Sequence, residues 1–230
     1  MNIATHPAPN HPSTQSAGLD LNYAQTDEVA DFIARTEAYQ NGTMSSDEYR
    51  AYRLTRGVYG QRQDGVNMMR IKIPGGLLSP DQARRVAELL DESVLGFGNI
   101  TTRSNIQIHH VPPETVPGWK ARLNSAGVSQ VDACGNAVRT VTQDPEAGLA
   151  PDEVFDTTPY MQAITRFLLD HPRARLMPRK FKIALSTSAA DRGLTAIHDV
   201  GLVAVLGPDG GATFRVAIGG GLASMPQIAL

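Results

Sequence analysis

The side chains best suited to chemistry lie in a basic stretch between residues 166 and 182. A predicted strand, Phe181 to Leu185, puts Lys180 and Lys182 on one face, about 7 Å apart. Two neighbouring ammonium groups repel each other unless an anion or water lies between them. The pattern therefore indicates either an anion site or a solvated edge strand that uses Lys to deter aggregation. The stretch holds six cations against one acid, Asp170: Arg166, Arg173, Arg175, Arg179, Lys180 and Lys182.

A second strand with a basic face is predicted from Val66 to Ile73. Apolar residues alternate there with Arg70 and Lys72, so the two cations share one face and the apolar side chains the other. Pro74 and two glycines end this strand. The pattern repeats that of the first basic strand.

A third candidate is the β-branched run from Ile100 to Val111. If the strand is unbroken, one face carries a row that is too polar for a core and fits the wall of a wet ligand pocket. Adjacent His109 and His110 would point to opposite faces, which favours structural histidines over a shared metal site. The polar row consists of Arg103, Asn105, Gln107 and His109.

The elements that would position these side chains form an α+β pattern. Helices are predicted to begin at Thr26 and near Ser46, and a capping box at Ser79 to Gln82 opens another. The order strand–helix–strand–helix over 66–127 has the size of half a ferredoxin-like module. A helix from Thr158 to Pro172 and a hairpin of 200–206 with 212–218 follow. We divide the chain into a flexible lead (1–25), a helical segment (26–65), the half module (66–127) and a second domain (128–230).

Composition narrows the function classes. A net charge of −2 gives no support for nucleic-acid binding, and one cysteine, Cys134, excludes an internal disulfide. No signal peptide or membrane-length apolar run is present, so a cytoplasmic protein that does not bind membranes is expected. The glycines at 219–221 fit either an anion-binding backbone or a flexible connector.

Six stretches, in order along the chain, resemble the siroheme-containing nitrite/sulfite reductase family. Those at 101–107 and 178–182 carry the most weight. The stretches are Tyr59-Gly-Gln-Arg-Gln63, Met69-Arg-Ile-Lys-Ile-Pro-Gly-Gly76, Thr101-Thr-Arg-Ser-Asn-Ile-Gln107, Ala133-Cys-Gly-Asn-Ala-Val-Arg-Thr-Val-Thr142, Pro178-Arg-Lys-Phe-Lys182 and Phe214-Arg-Val-Ala-Ile-Gly-Gly-Gly-Leu222.

The resemblance implies a fold, a reaction and a site. The second domain would be the first repeat of a siroheme/iron–sulfur reductase domain, with a mixed sheet and flanking helices. Such enzymes reduce sulfite to sulfide or nitrite to ammonia, using siroheme, a [4Fe–4S] cluster and electrons from ferredoxin or a flavoprotein. Catalytic cations would be Arg103, Arg139, Lys180 and Lys182; cofactor-binding residues would be Arg70, Lys72, Thr102, Asn105, Gln107, Asn136 and Arg179.

The chain departs from this family in its cysteines. The four cluster ligands of the family lie in a second half that these 230 residues do not contain, and Cys134 is not one of them. Thr140 also replaces a more typical asparagine, and Gln143-Asp144-Pro145 stands where relatives often carry Ala-Cys-Pro. We therefore expect an N-terminal half that is inactive alone and that is either truncated or paired with a chain supplying the second half. The alternatives are a non-catalytic tetrapyrrole- or anion-binding remnant and a relative of the precorrin-3B synthase type.

Overall fold

The computed structural model describes residues 19–230 as two four-stranded sheets with five helices. Most of the predicted flexible lead, residues 1–18, lies outside the described residues. The α+β class predicted from the sequence is confirmed, with the two sheets built from separate halves of the chain. Every helix described within 19–230 is too short or too polar to cross a bilayer.

The first sheet is antiparallel, in the order β1-β2-β4-β3. Two of the helices that pack around it begin with serine caps: Ser45 and Ser79 each close a capping box with the residue three positions on. The first helix begins two residues later than the predicted Thr26, after Asp27, whose side chain makes no capping hydrogen bond. The elements are α1 (Glu28–Gln40), α2 (Ser46–Leu54), β1 (Val58–Gly60), β2 (Asn67–Ile71), α3 (Pro80–Glu92), β3 (Asn99–Ile100), β4 (Ile106–Val111) and α4 (Val116–Ser125).

The core of this half lies between the sheet and its helices. Met69, Ile71 and Ile73, the apolar face predicted for the basic strand, are all buried. Leu89 from α3 and Leu123 from α4 pack against them. The sheet also extends further back than the predicted boundary at residue 66, because β1 pairs with β2. At three residues, β1 is too short for an alternating pattern to reveal it.

The unbroken strand predicted from Ile100 to Val111 is wrong. Residues 101–104 form a turn between β3 and β4, which pair antiparallel with Ile100 opposite Ile106. The Thr101 hydroxyl accepts hydrogen bonds from the backbone N–H groups of Arg103 and Asn105, and Ser104 adopts a left-handed φ of 56°. A side-chain hydroxyl thus closes the turn in a run whose composition indicates a strand. Consequently Arg103 sits in a turn and does not share a face with Asn105 and Gln107.

The second sheet is mixed, in the order β5-β6-β7-β8, with β5, β6 and β7 parallel and β8 antiparallel. Its strands are β5 (Thr142–Gln143), β6 (Ile183–Ser186), β7 (Val200–Leu206) and β8 (Ala212–Ile218), and α5 (Thr158–Asp170) packs on it through Met161. The helix and the β7–β8 hairpin match their predictions. The edge-strand interpretation of the basic stretch is wrong, because β6 is an interior strand with all four residues buried.

Residues 19–25, which the sequence assigns to the flexible lead, are instead packed as a strap across both halves. The Tyr23 ring is buried against Val131 and Leu169, and the backbone N–H of Tyr23 donates to the Gly127 carbonyl at 2.7 Å. Arg166 of α5 donates to two carbonyls of the strap, and Gln82 of α3 to a third. Few apolar anchors are needed, because the strap is held largely through its backbone carbonyls.

A buried ion pair joins α1 to α4. Lys120 Nζ lies 3.2 Å from Glu28 Oε1, and both side chains are at most 2% exposed. Lys120 also donates to the Arg56 carbonyl and the Gln130 side chain, while Glu28 accepts from the Ser129 hydroxyl and the Gln130 N–H. The lysine thus has three acceptors, so the pair satisfies its buried charges.

We predict that Lys120→Met lowers the free energy of unfolding by about 3–5 kcal/mol, because the Glu28 carboxylate is left buried without its cation. Urea denaturation at pH 7 measures this change. The matched control is Arg84→Ala, which removes an exposed pair with Asp81 and should change stability by at most about 1 kcal/mol. Equal effects of the two substitutions would contradict the assignment of the buried pair as a structural anchor.

Candidate functional site

The loop at 131–139 lies where the two sheets meet and collects cations from both. The Ala133 carbonyl accepts from Arg70 Nη1 at 3.4 Å and from Arg139 Nη2. Arg70 comes from β2, whereas Arg139 leads toward β5 and its N–H donates to the Phe181 carbonyl. One backbone oxygen therefore holds two guanidinium groups that are far apart in the sequence.

Arg70 and Gln107 form a cross-strand pair on the same surface. They face each other in the β2–β4 register. In the amide orientation that matches donors with acceptors, the Gln107 side-chain oxygen accepts from Arg70 Nη2 and Nε. Gln107 thus serves to orient the guanidinium.

Arg103 reaches from the β3–β4 turn to the second sheet. Its Nη2 donates to the Thr140 carbonyl at 2.6 Å and to the Ile183 carbonyl at 3.3 Å. The pKa of Arg103 is lowered to about 10, chiefly by burial and also by the charge of Arg139, while Asp199 opposes the shift. Burial likewise lowers the pKa of Arg139, and Arg70 adds to that effect. Arg139 is therefore close enough to Arg103, and Arg70 to Arg139, for one positive charge to lower the pKa of the other group.

Three buried hydrogen-bonding atoms in this region lack partners, namely two donors and one acceptor, and the acceptor is Asp132 Oδ1. The Nε atoms of Arg103 and Arg139 are buried and make no hydrogen bond. An unpaired buried donor on a charged group is costly, so such atoms require an explanation. An anion or a carboxylate bound at the cluster would supply the missing acceptors.

Lys72 and Asn105 lie beneath the surface of the site. Lys72 is 7% exposed, and its ammonium donates to the Val131 carbonyl at 3.1 Å. Asn105 is buried, and its side-chain oxygen accepts from the Ile73 N–H and the Thr140 hydroxyl. The Thr140 hydroxyl thus ties the two halves together. Both side chains are buried below the surface of the site, where their hydrogen bonds fix the backbone that carries it.

The remaining predicted residues are at the surface. Arg179, Lys180, Thr102 and Asn136 are exposed. Asn136 fixes the course of the basic stretch by donating from its side chain to the Pro178 carbonyl and by accepting from the Met177 N–H. The positive charge of Lys180 opposes the burial effect that raises the pKa of the Cys134 thiol, which places the ammonium near this loop.

The six cations of the basic stretch divide into two groups. Arg166 binds the strap, and Arg175 donates to the Leu169 carbonyl and lies 3.4 Å from Asp132. These two are structural. Arg173, Arg179 and Lys180 are exposed, and Lys182 is half-buried just before β6. Sequence spacing alone did not separate the two groups.

Three parts of this region were missed or left open by sequence reasoning. The Ala133 carbonyl carries no sequence signal, and neither His198 nor Asp199 was singled out. The glycine run proves to be a packing feature: a Cβ on Gly220 would lie 2.6 Å from the His198 carbonyl oxygen, and the N–H groups of Gly219 and Gly221 bind backbone carbonyls. For His198 and Asp199, the available sequence signal was an adjacent His-Asp pair immediately before a predicted strand.

No iron–sulfur or metal ligand set exists within residues 19–230. Groups of three or more His, Cys, Asp or Glu suited to a metal ion are absent from that range. The single cysteine of the chain, Cys134, is buried, and burial raises the pKa of its thiol. A four-cysteine cluster cannot be ligated by these residues.

Comparison with known families matches nearly the whole of this architecture. Residues 59–126 match the nitrite/sulfite reductase ferredoxin-like half domain, and residues 134–229 match the nitrite and sulphite reductase 4Fe-4S domain. The chain belongs to the nitrite and sulfite reductase family. Residues 127–133 lie between the two matched ranges. The boundary predicted from the sequence, after Gly127, falls in this segment.

Known reductases of this family are similar over most of the chain. A sulfite reductase [ferredoxin] of Mycolicibacterium paratuberculosis is 31% identical over 194 residues, covering 75% of this chain and 34% of the relative. An assimilatory ferredoxin-dependent nitrite reductase of Haloferax mediterranei is 32% identical over 189 residues, covering 75% and 32%. The structure of Mycobacterium tuberculosis NirA protein superposes with a TM-score of 0.76 at 29% identity, covering 88% of this chain and 40% of that one. The chain thus spans about a third of the length of the curated reductases that it matches.

The buried ammonium beneath the site predicts a pH-dependent stability. Burial lowers the pKa of Lys72 from 10.5 to about 8, with Asp132 and Glu28 opposing the shift. Between these values the unfolded chain binds more protons than the folded one, so stability should rise with pH across that window. Relative to Lys72→Met, the wild type should gain up to about 3 kcal/mol between pH 8 and pH 10.5. Urea denaturation at several pH values gives this difference, and parallel curves for the two proteins would contradict it.

Proposed function

We propose that this chain supplies the anion-binding and siroheme-binding cations of a sulfite or nitrite reductase. The reaction would be the six-electron reduction of sulfite to sulfide or of nitrite to ammonia. The observation that carries the proposal is that Arg70 and Arg139 bind the 131–139 loop while Arg103 binds the adjoining Thr140 carbonyl, all between the two sheets. They are held there by backbone carbonyls, which leaves their charge available to a ligand.

The substrate would bind where the partly satisfied cations face the exposed ones. Arg103 and Arg139 offer buried Nε donors, and Lys180 and Lys182 offer ammonium groups on the adjoining segment. Sulfite and nitrite are small oxyanions that guanidinium and ammonium groups bind through charge-assisted hydrogen bonds. The same four side chains would hold charge that develops on oxygen during reduction.

The donor set also fits a tetrapyrrole with eight carboxylates. Arg70, oriented by Gln107, and the exposed Arg179 are suited to carboxylate contacts, with Thr102 and Asn136 as uncharged donors nearby. Lys72 and Asn105 would act beneath the surface by fixing the loop and the β3–β4 turn. Siroheme, when bound, would supply the iron on which electrons are transferred.

The [4Fe–4S] cluster does not fit the residues of this chain, so we propose that its cysteines come from polypeptide outside these 230 residues. That polypeptide could follow in the same protein or be a separate chain. Exposed apolar residues offer surfaces for it: Val216 and Ile218 on β8 are 52% and 63% exposed, and Ile100 on β3 is 82% exposed. A ferredoxin or flavoprotein in the cytoplasm would then supply electrons.

The cation cluster predicts weak binding of sulfite to the chain itself. Lys180→Ala combined with Lys182→Ala should weaken sulfite affinity by about tenfold or more, because two ammonium groups leave the site. Isothermal titration calorimetry at low ionic strength measures the affinity, and nitrite provides a second probe.

The matched control for that variant removes two exposed cations elsewhere. Arg50→Ala with Arg84→Ala causes the same change in net charge, and those side chains are 69% and 70% exposed. Their loss should change sulfite affinity less than about threefold. Equal weakening in both double variants would show a net-charge effect and would contradict a local anion site.

A reconstitution experiment tests the cofactor assignment. The chain is coexpressed with the part of the Mycobacterium tuberculosis reductase that it does not cover, in cells that make siroheme. We expect a Soret absorbance that coelutes with both polypeptides and that is reduced when Arg70→Ala and Arg179→Ala are combined. A stable complex without this absorbance would contradict the proposal.

A second candidate function is favoured by the single cysteine. A non-catalytic protein could bind an anionic tetrapyrrole through the same arginines without any cluster. Titrating uroporphyrin, an octacarboxylate porphyrin, into the chain alone separates the two candidates. Tight, saturable binding without the second polypeptide would favour the non-catalytic function, whereas the reductase proposal expects retention of the tetrapyrrole only with the cluster-bearing part.

A further inference from the structure

Asp199 immediately precedes β7 and contacts the basic stretch. It is not among the site residues that the sequence predicts. Its Oδ2 accepts the backbone N–H of Lys182 at 2.8 Å. Its own carbonyl accepts the Gly219 N–H at 3.0 Å, at the end of β8. Asp199 therefore joins the segment that carries the lysines, just before β6, to the neighbouring strands β7 and β8.

The segment bearing the lysines is held from both sides. On one side, the Phe181 N–H donates to the Ala137 carbonyl, and the Arg139 N–H donates to the Phe181 carbonyl. On the other side, the Lys182 carbonyl accepts the Val200 N–H, and the Lys182 N–H binds Asp199. The Asp199 side chain is the only part of this arrangement that a substitution can remove while every backbone group stays in place.

The carboxylate does not neutralise the neighbouring cations by direct pairing. Within residues 19–230, no Lys, Arg or His nitrogen lies within 4 Å of the Asp199 carboxylate in an ion pair. Its charge is nevertheless felt by Arg103, whose pKa it raises against the effect of burial. A negative charge beside an anion site should weaken anion binding by Coulomb repulsion. The presence of this carboxylate next to the cations therefore requires a compensating role.

We propose that Asp199 is a positioning residue that fixes Lys180 and Lys182 for anion binding by holding the Lys182 backbone. This proposal rests on the anion site described under the proposed function. Its benefit is geometric, since the hydrogen bond sets where β6 begins and thus the direction of the lysine side chains. Its cost is electrostatic, and the two effects have opposite signs in the affinity for an anion.

Two substitutions separate the effects. Asp199→Asn removes the charge but keeps a side-chain oxygen that can accept the Lys182 N–H, whereas Asp199→Ala removes both. Asp209→Ala, in the exposed turn between β7 and β8, is the control with the same change in net charge. The readouts are hydrogen exchange of the Lys182 amide by NMR and sulfite affinity by calorimetry.

With Asp199→Ala, we expect the Lys182 amide to exchange about tenfold faster or more, from the loss of a hydrogen bond to a charged group. Sulfite affinity should fall by about threefold or more, although a repelling charge has been removed. Asp199→Asn should keep the amide within about threefold of the wild-type rate and should bind sulfite as tightly as the wild type or more tightly. Asp209→Ala should change neither readout.

Tighter sulfite binding by both Asp199 variants would overturn the proposal, because it would leave only the Coulomb effect. An unchanged Lys182 amide in Asp199→Ala would overturn it as well, whatever the sulfite affinity. If the wild type fails to bind sulfite while the amide responds as expected, the proposed function fails and the positioning of Lys182 by Asp199 is supported.

Discussion

The site depends on cations that are held by backbone carbonyls. Arg70 and Arg139 share the Ala133 carbonyl, Arg103 binds the Thr140 and Ile183 carbonyls, and Lys72 binds that of Val131. A buried cation needs hydrogen-bond acceptors. Carboxylates would accept these hydrogen bonds, but their negative charge would cancel the positive charge of the cation. Carbonyl dipoles satisfy the donors but leave the net charge in place. The loop at 131–139 can therefore be strongly positive in a chain whose overall charge is −2.

The same contacts join the two halves of the chain. Arg103 comes from a turn of the first sheet and binds carbonyls of the second, and Asn105 accepts from Thr140 across the same boundary. Any displacement of the sheets would break these hydrogen bonds and expose the buried guanidinium groups. Folding of the two halves and assembly of the cation cluster are therefore linked.

Sequence reasoning succeeded where periodicity or capping dictates the structure. The capping box at Ser79, the alternation around Ile71 and the β7–β8 hairpin all follow from local patterns. It failed at the Thr101–Ser104 turn, where a hydroxyl closes a turn inside a β-branched run, and at the strap around Tyr23, which is held by backbone groups. The cations were predictable, but their carbonyl partners were not, because every residue type carries the same carbonyl.

Backbone carbonyls also differ from carboxylates in that they do not take up protons. A cluster held by aspartates would lose its counter-charges as the pH falls, and its field would change with the surroundings. The guanidinium groups and amide dipoles at the 131–139 loop do not titrate near neutral pH, whereas the buried Lys72 ammonium beneath it, whose pKa is lowered to about 8, does. The guanidinium part of the attraction that a ligand meets there is thus constant across the physiological range, and only the contribution of Lys72 is lost as the pH rises through about 8.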